Sequence, residues 1–149
     1  MRFVIQRVTS AKCEVEGNIT SEIAKGFCVF IGISQTDTEA IADKMLRKLL
    51  NIRIFEDAEG KTNLSLTDVN GSLLLISQFT LYANCRKGNR PSFTEAGAPE
   101  LANSLYEYII CECRKSISNV QTGIFGTDMQ ISLCNDGPFT IVLDSEILA

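Results

Sequence analysis

The chain has 149 residues, 45% of them apolar, which suits one domain over residues 1–149 with a sizeable core. Fourteen Lys plus Arg stand against 18 Asp plus Glu, and the net charge of −4 argues against bulk coating of nucleic acid while leaving a small, local RNA contact open. No window approaches the roughly 18 uninterrupted apolar residues of a membrane span, and Arg2 and Arg7 interrupt the opening run, unlike a secretory leader. The chain therefore reads as soluble, intracellular and cytoplasmic, with no membrane partner.

There is no histidine. That removes the commonest general base and excludes Ser-His-Asp and Cys-His catalysis within this chain. The six cysteines form no C-x-x-C and have no histidine to complete a mixed zinc site, so neither a metal nor another cofactor is expected. They read as structural thiols: Cys28 and Cys134 as small core residues in apolar runs, Cys111 and Cys113 on different sides of a helix.

In chain order, residues 2–9 and 11–16 predict two strands, and Gly17-Asn18 predicts a hairpin turn into 19–23. Lys25-Gly26 turns the chain into Phe27–Ile33, an apolar run that predicts a strand buried on both faces. Four strands in the first third imply antiparallel pairing. Ile41, Met45, Leu46, Leu49 and Leu50 recur at helical spacing, so a helix is expected to start near Asp37 or Thr38. A short strand over 51–55 and polar turns at 56–61 and 69–72 follow. Pro99 opens a second helix whose buried side is expected to hold Leu101, Leu105, Tyr108, Ile109 and Ile117. Three last strands are expected at 120–122, 129–133 and 139–143. The fold class is α+β: mostly antiparallel strands in a barrel-like core with two main helices.

Two stretches carry chemistry. Leu73-Leu74-Leu75-Ile76 gives way to Ser77-Gln78-Phe79-Thr80-Leu81, and a buried strand whose end turns polar is a common place for a reactive pocket. Simple outward alternation of Ser77, Gln78 and Thr80 along a strand is the competing reading. Asn135-Asp136-Gly137-Pro138-Phe139-Thr140, between two apolar runs, joins a flexible glycine to a rigid proline and favours the first. Between them, Arg86, Lys87 and Arg90 put three positive charges in five residues, either as a solvated loop or as a phosphate contact beside the pocket.

These stretches, with 1–11 and 25–32, resemble the D-aminoacyl-tRNA deacylases (D-tyrosyl-tRNA deacylases) nearly end to end. The Ser-Gln-x-Thr and Asn-x-Gly-Pro-x-Thr signatures are both intact, and the chain looks like the D-specific branch rather than the one acting on L-alanine. The resemblance implies a homodimer that hydrolyses the ester between a D-amino acid, or glycine, and the 3′-terminal adenosine of tRNA, a proofreading step in translation. It implies a catalytic stretch at Ser77, Gln78, Phe79 and Thr80. Substrate binding and chiral selectivity fall to Asn135, Thr140, Met129, Gly137 and Pro138, the last two joined by a cis bond and inserted into the other subunit's pocket. Arg86, Lys87 and Arg90 are assigned to tRNA phosphate.

An aminoacyl ester is already activated, so a modest catalytic set suffices. Backbone N–H groups of Phe79 and Thr80 are candidates for an oxyanion hole, each such donor being worth about 10²–10³ in rate. Water attack assisted by the substrate's vicinal 2′-OH is preferred here to a covalent Thr80 ester, which needs a base. A pocket that admits many D side chains has to reject L-residues by clash, and a rigid Gly-Pro element does this without reading the side chain. The alternative class is a non-catalytic module that binds a nucleotide or an RNA 3′ end in the same pocket.

Overall fold

The computed structural model describes residues 1–148. Its spine is β1 (Arg2–Val15), a single strand where the sequence predicts two. The polar pair Thr9-Ser10, exposed here, does not break it, because β8 (Gln130–Asp144) pairs antiparallel along almost its whole length and supplies the ladder across the polar gap. β8 likewise merges the two last strands predicted from sequence. Only residues 136–139 leave the ladder, looping out opposite Arg7 between the pairs Gln6–Thr140 and Val8–Asn135.

The other edge of β1 is shared by β2 (Asn18–Ile23) and β3 (Gly26–Gly32), both antiparallel to it. β3 then pairs in parallel with β6 (Ser72–Ser77), and β6 in parallel with β7 (Val120–Thr122). These parallel joins need crossovers, which contain the helices α1 (Glu39–Asn51) and α2 (Pro99–Arg114). The first crossover also carries a hairpin of β4 (Arg53–Glu56) and β5 (Thr62–Ser65); β5 gives no clear signal in its sequence. The order β2-β1-β3-β6-β7 curls until its ends meet, where Ser21 Oγ donates to Thr122 O at 2.8 Å. The outcome is the α+β, barrel-like sheet with two helices that the pattern predicts, mostly antiparallel but with two parallel joins.

The curl explains the apolar runs. Along β6, Leu73 and Leu75 face the core under the helices with Phe3, Ile5, Met45 and Tyr106, while Leu74 and Ile76 face a second core with Val8, Cys13 and Cys28. Each helix begins as its sequence predicts. The Thr38 hydroxyl accepts from Ile41 N–H at 3.4 Å, and Pro99 stands in the first turn of α2. α2 stops at Arg114, so Ile117 lies beyond the helix yet is buried. Cys134 corrects the core expectation. It is exposed, since alternation along β8 turns it outward while Leu133 packs against the second core. Cys113 is buried and Cys111 exposed, on different sides of α2 as expected.

Candidate active site

The polar end of β6 is not a continuing strand. After Ser77 the chain makes its last sheet bond, Gln78 N–H to Ile31 O at 2.7 Å, and tightens into a one-turn 3-10 helix at Phe79–Tyr82. Leu81 N–H to Gln78 O (3.3 Å) and Ala83 N–H to Thr80 O (3.0 Å) hold the turn. Gly32 makes room for it: a Cβ there would stand 2.8 Å from Leu81 Cβ, so a larger residue would lift the turn off β3. Among the described residues the N–H groups of Phe79 and Thr80 donate to nothing, as the leading donors of a helical turn do. The Gln78 side-chain amide donates to Thr80 Oγ1.

Ser77, Gln78 and Phe79 form one wall of a cavity of about 810 Å³. The segment 93–98 forms another, tied to β3 by Gly97 N–H to Ile33 O at 2.8 Å. Phe125 and Met129 close a third, and Gly123 permits it, because a Cβ there would meet Met129 Sδ at 2.5 Å. The lining is mainly apolar, and Asp128 is its single ionisable residue among those described. A mainly apolar cavity beside backbone N–H groups that have no acceptor of their own is an arrangement suited to stabilising a developing oxyanion.

The basic loop runs directly into Phe93, which lines this cavity. Asn84 and Ser92 exchange backbone hydrogen bonds of 2.8 and 2.9 Å, closing the intervening residues into a loop, and the Asn84 side chain caps Arg86 N–H at 3.0 Å. Arg86, Lys87 and Arg90 are exposed, with no ion pair among the described residues. Phe93, just past the loop, packs edge-on against Phe79 with ring centroids 5.2 Å apart.

Gly137 and Pro138 lie elsewhere. Asn135 draws the neck of their loop together, its amide donating to Arg7 O (3.0 Å) and Phe139 O (3.1 Å), with Thr140 Oγ1 donating to Asn135 Oδ1 at 3.4 Å. Arg7 braces the inside of the loop. Its guanidinium donates to Ile54 O (2.6 Å), Asp136 O (3.2 Å) and Gly137 O (3.4 Å), pairs with the Asp136 carboxylate at 3.2 Å, and lies 4.5 Å over the Phe139 ring. The Gly137–Pro138 bond is cis, both residues are exposed, and a Cβ on Gly137 would meet nothing within 4 Å.

Residues 4–144 match the family model described as D-Tyr-tRNA(Tyr) deacylase. The chain belongs to that deacylase family, a family of hydrolases. A D-aminoacyl-tRNA deacylase of Clostridium kluyveri is 56% identical over 146 residues, covering 98% of both chains, and one of Thermosipho melanesiensis is 49% identical over 147, again covering 98% of both. A solved structure named c-Myc DNA Unwinding Element Binding Protein superposes with a TM-score of 0.92 at 41% identity, over 97% of this chain and 98% of its own. A probable eukaryotic D-amino acid tRNA deacylase, 20% identical, shares the fold with a TM-score of 0.81 over 95% of this chain and 97% of its own.

In this deacylase chain the residues singled out from sequence fall in two places. Ser77, Gln78, Phe79 and Met129 line one cavity; Thr80 stands beside it, its hydroxyl turned to Gln78. Gly137, Pro138, Asn135 and Thr140 form a separate, outward-facing loop. Sequence reasoning misses the walls at 93–98 and Phe125, whose apolar character looks like ordinary packing. It also misses Arg7, although the signal is present: Phe3, Ile5 and Arg7 share one face of β1, and a charge at the third position of an apolar face needs partners.

Proposed function

We propose that this chain hydrolyses the ester between a D-amino acid, or glycine, and the 3′-terminal adenosine of tRNA, working as a homodimer that rejects L-residues by steric exclusion. The observation that carries the reading is the pair of free N–H groups at Phe79 and Thr80, set at the edge of an apolar cavity in a chain of this family. In the reaction the ester carbonyl oxygen takes negative charge against these two donors. Water attacks the carbonyl carbon, the bond to the ribose 3′-oxygen breaks, and the proton from water reaches that oxygen by way of the 2′-OH. Free amino acid and tRNA leave. The Thr80 hydroxyl accepts from the Gln78 amide and no base adjoins it among the described residues, so water attack is favoured over a Thr80 ester.

The chiral filter is Gly137-Pro138 of a second copy. β8 supports this: it pairs only with β1 among the described strands, and it carries Val142, 63% exposed, and the exposed Gly-Pro pair along an edge 15 residues long. Long open edges of this kind invite pairing. Glycine has no Cβ to reject and passes. Arg86, Lys87 and Arg90 meet tRNA phosphate at the cavity rim.

The test is release of free amino acid from D-aminoacyl-, glycyl- and L-aminoacyl-tRNA by purified protein, with its mass in solution measured alongside. Release from the first two, sparing of the third, and a dimeric mass are expected. Binding of tRNA without release would identify a binding module instead, and a monomer with full activity would refute the shared site.

A further inference from the structure

The catalytic turn is short. Phe79–Tyr82 makes a single turn of 3-10 helix, and the backbone bonds from Leu81 and Ala83 tie its two ends. Such a turn does not by itself fix its leading N–H groups to the few tenths of an ångström that oxyanion binding needs. Its carbonyl end has an outside partner. Arg2, the first residue of β1, donates from Nη1 to Leu81 O at 3.0 Å and from Nε to Asp144 Oδ2 at 2.9 Å, and its guanidinium lies 4.5 Å over the Tyr82 ring. Asp144, the last residue of β8, accepts in turn from Glu146 N–H at 3.0 Å. From below, Gly32, opposite Arg2 on β3, seats Leu81.

We propose that Arg2, oriented by Asp144, is a positioning residue of the reaction: it pulls on the carbonyl end of the 79–82 turn and thereby sets where the Phe79 and Thr80 N–H groups point. The inference rests on the reading of those groups as the oxyanion donors. Arg2 is suited to the task because a planar guanidinium fork offers two directed donors at once and stacks on an aromatic face, which an ammonium cannot do. A plain surface ion pair between Arg2 and Asp144 would join the two chain ends without touching Leu81, and the turn contacts set this arrangement apart from that.

Arg2→Gln removes the fork and the charge. Its kcat on D-aminoacyl-tRNA is expected to fall about 10–100-fold with KM within about twofold, since a displaced oxyanion donor weakens the transition state and not substrate binding. A readout free of any substrate accompanies it. Amide exchange at Leu81 and Ala83 should quicken in Arg2→Gln while the buried strand amide of Val29 stays protected. The double exchange Arg2→Asp with Asp144→Arg should recover thermal stability without recovering kcat, because the ion pair returns and the bond to Leu81 O does not. Arg2→Lys, expected to fall between wild type and Arg2→Gln in kcat and in exchange, serves if Arg2→Gln does not fold. A folded Arg2 variant with wild-type kcat, unchanged exchange at Leu81 and Ala83, or full kcat in the charge exchange would each overturn the proposal. Loss of the deacylase reading shows separately, as a wild type that releases no amino acid, and the exchange comparison still decides what Arg2 does to the turn.

Discussion

The turn at 79–82 and the loop at 136–139 are both braced by an arginine of β1, yet they sit in opposite surroundings. Arg2 and Arg7 lie on opposite faces of the strand; the Arg2 side chain is 32% exposed and that of Arg7 6%. Arg2 holds a turn that lines the chain's own cavity and leaves two donors free beside it. Arg7 holds a loop whose tip residues, Gly137 and Pro138, are exposed. Burying a guanidinium among this many carbonyl partners costs desolvation that a loop exposed to water does not ordinarily require. Under the proposed function the arrangement makes sense, since one region is complete within its chain and the other is shaped for a neighbour.

The comparison breaks most sharply at Gly137. Gly137→Ala should leave the melting temperature unchanged, because its Cβ meets nothing within 4 Å and the backbone there needs no left-handed conformation. Activity on D-aminoacyl- and glycyl-tRNA should nevertheless fall by about 10² or more, as a methyl intrudes on the reacting geometry of the other copy. Mixing Gly137→Ala subunits with Gly32→Val subunits, whose catalytic turn is lifted off β3, should restore part of the activity, since one pocket of the mixed dimer then has both elements intact. Mixtures no better than their parents would confine the loop's action to its own chain.

A smaller effect separates the two chemistries of the turn. Thr80→Ala retains the backbone N–H and deletes only the hydroxyl that pairs with Gln78, so kcat should fall about 2- to 10-fold, the worth of one neutral hydrogen bond. Complete loss, with an acyl group trapped on wild-type Thr80, would move the mechanism to a covalent ester. Replacing Arg86, Lys87 and Arg90 together by Gln should raise KM for tRNA with kcat kept. The same replacement should flatten the salt dependence of binding by roughly 0.7–0.9 log units for each phosphate no longer neutralised. An unchanged slope would make the loop a solvated one.

The smallest effect is one of pH. Burial pushes the Asp144 carboxyl up, but hydrogen bonds from Glu146 N–H and Arg2, together with the Arg2 charge, outweigh it and leave its pKa below the ordinary carboxylate value. A carboxyl lowered in the folded state contributes stability that is fully present above its unfolded pKa, about 3.9, and disappears as pH falls through the lower folded value. The gap in melting temperature between wild type and Asp144→Asn should therefore be constant from neutral pH to about 5 and close below about 4. A gap that persists in acid would mean that Asp144 acts through packing.

Much of this architecture was legible in the sequence because it depends on neighbours in the chain. Alternation along β1, the helical spacing of Met45 and Leu49, the Thr38 cap and Pro99 are local signals with local causes, and the α+β class follows from them. The two signature stretches were equally visible, as polar residues ending an apolar run and as a Gly-Pro pair between two others. Their relation was not. Which strand covers the polar Thr9-Ser10, that Cys134 turns outward, that 93–98 and Phe125 wall the cavity, and that Arg7 reaches Ile54, Asp136 and Gly137 all depend on contacts between residues far apart in sequence. The polar end of β6 could have continued as a strand; seating of Leu81 on Gly32 and the bond from Arg2 bend it into a turn with free donors. Local preference determined the elements, and only long-range packing and hydrogen bonding decided that the two motifs lie apart, one facing inward and one facing out.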